Sequence, residues 1–104
     1  MTELTRLAVW EVVDDLVARV YQASGQVADV PTRELLREAV LALGPMLPPP
    51  VLLGRLEVVA ALLVAAAKTG ALSVELADTL GQAITRGAQA LRRLATGDHP
   101  AAAC

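Results

Sequence analysis

The chain has 104 residues, 55% of them hydrophobic, 19% charged and only 2% aromatic, with a net charge of −2. That length holds one core rather than two, and it can bury most of its apolar surface without disulfide or metal. The acidic balance argues against a protein built chiefly to coat nucleic acid.

The opening run Met1-Thr2-Glu3-Leu4-Thr5-Arg6 has an acid before any base and no apolar centre. It therefore predicts no secretory signal and a cytoplasmic setting. A first helix is expected from about Glu3 to Ala23. Val9, Val13, Leu16 and Val20 recur at steps of four, three and four and form one apolar stripe. Trp10, Val17 and Tyr21 widen that stripe on one flank, and Trp10 and Tyr21 are expected to stack under a neighbouring helix. Ser24-Gly25 should end the helix with a left-handed stop.

Pro31 suits the opening turn of a second helix capped near Asp29 or Val30. Leu35, Leu36, Ala39, Val40 and Leu43 supply its inner stripe, while Glu34 and Arg37 compensate one another three residues apart. Gly44-Pro45 stops or kinks this helix, and Pro48-Pro49-Pro50 is expected to be an extended connector through which no helix runs.

A third helix should start at Val51 or Leu52 and reach Thr69. The stretch from Val51 to Ala67 carries Gly54, Arg55 and Glu57, which argue against a membrane span. Only a narrow stripe of Glu57, Ala61, Ala65 and Lys68 looks fit for solvent. A helix apolar nearly all round asks for burial, and in so small a domain a subunit contact supplies it. Thr69-Gly70 closes this helix. Ser73 caps a fourth, whose core stripe is Leu76, Leu80, Ile84, Leu91 and Ala95, helped by Ala88. The sequence thus predicts an all-α fold, an antiparallel up-down four-helix bundle over residues 1–97 that assembles into a homo-oligomer. Residues 98–104 form a tail.

The chemistry-bearing residues are sparse. The single histidine, His99, and the single cysteine, Cys104, both fall in that tail, which leaves no metal cluster, no disulfide and no cofactor site. Cys104 is also the last residue, whereas prenylation needs a cysteine four from the end. Asp14 and Asp15 are adjacent, so on a helix they point about 100° apart. Ser73 has no base nearby and is explained as a cap. Gly70 and Gly81 belong to no phosphate loop, and Glu57 reads as a boundary residue or an intersubunit ion pair. No constellation supports an enzyme.

Charge is distributed unevenly. Residues 1–50 hold four bases and seven acids, while residues 51–104 hold five bases and four acids. No acid occurs between Thr79 and Gly97, where Arg86, Arg92 and Arg93 lie. Arg86 and Arg93 share a face with Gln82 and Gln89. Repeated around an oligomer, they would form a basic ring able to meet phosphate; the alternative is a solvated helix end complementing its dipole.

Leu7-Ala8-Val9-Trp10, Leu16-Val17 and Val20-Tyr21 resemble the opening helix of the four-helix-bundle family of 23S ribosomal RNA intervening-sequence proteins. That family includes the accessory variability determinants of diversity-generating retroelements. Pro31 with Glu34, Leu56-Glu57, Leu62-Leu63, Ala66, Gly70-Ala71-Leu72-Ser73, Leu91 and Leu94 extend the resemblance almost end to end. The middle departs from it: Gly44-Pro45 and the triple proline stand where the family has a longer second helix. The resemblance implies a homopentameric, non-catalytic accessory protein and, for the retroelement members, binding of a reverse transcriptase and nucleic acid through basic surface. In that setting Arg86, Arg92 and Arg93 are the nucleic-acid candidates, and Trp10, Tyr21, Leu56 and Leu63 serve packing or oligomer contact. The competing expectation is a purely structural protein–protein interaction module that binds no nucleic acid.

Overall fold

The computed structural model describes residues 3–44 and 46–96. Four α-helices account for nearly all of them, with no strand among the described residues: α1 Glu3–Ser24, α2 Val30–Leu41, α3 Pro49–Lys68 and α4 Val74–Thr96. Pro45, His99, Cys104 and the expected tail lie outside the described residues. Each helix packs on two others in the order α1–α2–α3–α4–α1, the arrangement of a four-helix bundle.

One core runs through the ring. Val9, Val13, Leu16 and Val20 of α1 are buried in it with Leu36 and Val40 of α2. Leu52, Leu56, Val59, Leu63 and Ala66 enter from α3, and Ala77, Leu80, Ile84 and Leu91 from α4. Spacings of three and four bring these residues to one side of each helix, so apolar burial selects the bundle.

The helix ends differ in mechanism. Gly25 does not take a left-handed conformation; Gly70, at φ 79°, is the one positive-φ glycine among the described residues. After α1 the chain tightens through bonds from Gly25 N to Gln22 O, Gln26 N to Ala23 O and Val27 N to Ser24 O. This last turn satisfies the free carbonyls without a left-handed residue. After α3, Gly70 turns the chain and Ala71 N reaches back to Ala66 O at 2.9 Å, a left-handed cap.

α2 begins as expected at Asp29, whose carboxylate accepts from Thr32 N at 3.0 Å and from the Thr32 hydroxyl. Its inner stripe is narrower than expected, because Leu35 is exposed. Arg37 does not pair with Glu34 but turns to α1. α3 starts at Pro49, inside the proline run rather than after it, with only Pro48 extended at φ −57° and ψ 142°. A first-turn residue has no helical partner for its N–H, so the prolines cost the helix nothing there and preset φ. Arg55 Nη1 then donates to Ala42 O at 2.8 Å, occupying a free carbonyl at the end of α2 from α3.

α3 departs furthest from expectation. Its length and composition would suffice to cross a membrane, with a mean hydropathy of 1.9 over its most apolar stretch, yet only 28% of that stretch is buried. One face belongs to the core, while Val51, Val58 and Val64 join Glu57, Ala61, Ala65 and Lys68 in facing outward. The outward face is thus much wider and more apolar than four residues.

Candidate interaction surfaces

Among the described residues no group of three or more His, Cys, Asp or Glu side chains comes together as a metal site would require. Asp14 and Asp15 are both exposed, and Asp15 pairs with Arg19 one turn on at 2.9 Å. Ser73 Oγ accepts from Leu76 N at 3.2 Å, which is a helix cap. Glu57 is exposed and has no hydrogen-bond or ion-pair partner among the described residues.

The α4 arginines are outward. Arg86, Arg92 and Arg93 are exposed, and Arg86 Nε bonds weakly to Gln82 O of its own helix at 3.5 Å. Arg86 stands on a crest between two grooves. On one side a groove of about 300 Å³ between α1 and α4 is lined by Val12, Asp15, Arg19 and Gly87. On the other, a larger groove of about 950 Å³ separates α3 from α4, with Ala60, Val64 and Lys68 facing Asp78, Gly81 and Gln89. Its floor is made of small side chains, and Asp78 is held there by Gln82 Nε2 at 2.9 Å. Each groove holds one acid and, besides Arg86, one further base: Asp15 with Arg19 on one side and Asp78 with Lys68 on the other, so acids interrupt the basic surface that the sequence pattern alone suggests.

The four packing candidates separate into two kinds. Leu56 and Leu63 are each 1% exposed and lie wholly within this chain's core. Tyr21 is partly covered by α2, with the Arg37 guanidinium 4.8 Å from its ring centroid. Trp10 is half exposed, at 52%. Fully buried leucines hold the bundle together, whereas Trp10 leaves about half of its surface in solvent.

The residues that sequence reasoning missed are the exposed valines of α3. Val51 and Val58 are seven apart, which is the spacing of one helix face, but in a helix so rich in Val, Leu and Ala every face looks like a core face. Only the placement of α2 and α4 decides which of them is covered. No family model, curated protein or solved structure matches this chain.

Proposed function

We propose that this chain is a non-catalytic scaffold: an antiparallel up-down four-helix bundle that self-associates and presents its α4 arginines to an anionic partner. The observation that carries it is the outer face of α3, where Val51, Val58 and Val64 are exposed in a helix only partly used by the core. Exposed valines and alanines broken by Glu57 and Lys68 are the composition of an interaction surface in a folded chain. Arg86 and Arg93 support the second half, since both are exposed on a stretch of helix without an acid. The resemblance to intervening-sequence and retroelement accessory proteins supports a cytoplasmic ring of five copies, with a reverse transcriptase or RNA as the partner. A core-forming face on α3 supports association in water rather than insertion in a membrane.

A second reading is favoured by the net charge of −2 and by Asp15 and Asp78, which interrupt the basic side chains Arg19, Lys68 and Arg86 in the two grooves. On that reading the bundle joins proteins and leaves nucleic acid alone.

Native mass spectrometry of protein purified in low salt without nuclease separates these. A multiple of 10.8 kDa carrying extra mass removable by ribonuclease or high salt supports the anionic partner. The same multiple without extra mass supports the protein-only module. A monomer at every concentration overturns the scaffold. Reversing Arg86, Arg92 and Arg93 to glutamate should release any bound nucleic acid without changing subunit number. Retained nucleic acid would move its binding site elsewhere.

A further inference from the structure

The outer face of α3 has a pattern that selects its own partner. Glu57, Ala61, Val64 and Lys68 follow one another at steps of four, three and four, so they form a single stripe along the helix. All four are exposed. An acid stands at one end, a base at the other, and two small or branched apolar side chains lie between. Within one chain the two charges are eleven residues apart, about 16 Å along the axis, and cannot pair. Neither has another ion-pair or hydrogen-bond partner among the described residues.

From this we infer that α3 packs antiparallel on α3 of a second copy, about a two-fold axis passing between Leu62 and Leu63. In that register position 57 of one copy faces position 68 of the other, and position 61 faces position 64. Each Glu57 then meets the second copy's Lys68, twice per contact, while Ala61 and Val64 interleave at the centre. The contact is isologous, as a two-fold demands, and self-complementary in both charge and size. Val58 and Ala65 flank the seam on one side. On the other, Val64 and Lys68 open into the α3–α4 groove, where Gly81 has no atom within 4 Å of where a Cβ would lie, so a neighbouring helix has room to settle. A partner of other sequence would need the same acid–apolar–base order in reverse; a second copy has it by construction.

This inference rests on the self-association proposed above and assigns it a surface and a symmetry. It gives an even-numbered assembly in place of the ring of five. The test is a charge swap read by sedimentation velocity on the full chain, with circular dichroism confirming the helices. Glu57→Lys alone places two bases opposite each other at both ends, and Lys68→Glu alone places two acids there. Each should weaken self-association at least tenfold. An equimolar mixture of the two variants should regain it, because only the mixed pair sets a base against an acid at both ends of the seam. The double variant Glu57→Lys, Lys68→Glu should also associate as wild type does. If wild type associates and both single variants do so equally well, the α3 seam is wrong and self-association stands. If wild type is monomeric throughout, both fail together.

Discussion

Arg37 Nε donates to Ser24 Oγ at 2.8 Å, and the same guanidinium lies 4.8 Å from the centroid of the Tyr21 ring. Ser24 is fully buried, and its hydroxyl in turn donates to the Tyr21 carbonyl. One cation thus ties the end of α1 to the middle of α2 by a hydrogen bond and a face-on ring contact. Replacing Arg37 with Ala should lower unfolding stability by about 1–2 kcal/mol, the sum of a side-chain hydrogen bond and a partly exposed cation–π contact. Lys at this position restores charge but not the planar fork, so Arg37→Lys should recover less than half of the loss. Urea titration of the two variants checks this, and equal stability of Arg37→Ala and wild type would remove the tie.

The glycines inside the helices differ in what surrounds them. A Cβ at Gly54 of α3 or Gly81 of α4 would meet nothing within 4 Å, whereas one at Gly87 would come within 2.7 Å of Leu16 Cδ1 and 3.4 Å of Val12 Cγ1. Gly54→Ala and Gly81→Ala should each stabilise the bundle by about 0.5–1 kcal/mol, because alanine loses less backbone freedom. Gly87→Ala has the same backbone advantage but must displace Leu16 from the α1–α4 contact. It should end at least about 1 kcal/mol below Gly81→Ala, as expected for an overpacked core site. Thermal melts of the three alanine variants give the ranking directly; a Gly87→Ala melt level with Gly81→Ala would show that α1 and α4 are looser than this close approach indicates.

The unequal legibility of these features has physical causes. Val9, Val13, Leu16 and Val20 are readable because polar residues interrupt them on the other faces of α1, so period and burial agree. The Asp29 and Ser73 caps are equally local: each is a side chain bonding a backbone three residues on. α3 offers no such contrast. With Val, Leu and Ala on all sides, its periodicity does not distinguish Leu56 and Leu63, which are buried, from Val58 and Val64, which are exposed. The bonds from Arg37 and Arg55 each join residues thirteen apart. They depend on how helices dock, which no local pattern reports. Pro49 is legible in type but not in place, since proline stops a helix from behind and starts one from in front. The α4 arginines are exposed as their spacing implies, but Asp15 and Arg19 of the groove beside Arg86 come from α1 and so enter only with the fold.

Asp29 predicts a pH dependence whose sign follows from its bonds. The Thr32 hydroxyl and then the Thr32 amide donate to its carboxylate, and together they hold its pKa below the ordinary 3.8. The ionised form is therefore favoured in the folded state, and its contribution is complete above the unfolded value. It fades as pH falls below 3.8 and through the lower folded value. Asp29→Asn keeps a capping oxygen but has no proton to bind. The difference in melting temperature between wild type and Asp29→Asn should be constant from neutral pH down to about pH 5, then shift against wild type in acid. A difference unchanged down to about pH 2.5 would mean that the Thr32 bonds do not favour the carboxylate in solution.

Trp10 and Leu63 carry opposite expectations, although the same sequence argument groups them. Leu63 is 1% exposed and packed within the core, so Leu63→Ala should cost about 2–5 kcal/mol of folding stability through lost contacts and a cavity. Trp10 is 52% exposed, so Trp10→Ala should cost the isolated bundle well under the Leu63→Ala loss, about 1 kcal/mol or less. Self-association through the α3 seam does not use α1, so Trp10→Ala should leave it unchanged, while an exposed tryptophan remains suited to anchor a different partner. Measuring both variants by urea titration at low protein concentration, and Trp10→Ala again by sedimentation at high concentration, separates folding from assembly. A large folding loss in Trp10→Ala would mean that the ring is covered within the chain. A weakened association in Trp10→Ala would place an assembly contact on α1 and count against the α3 seam.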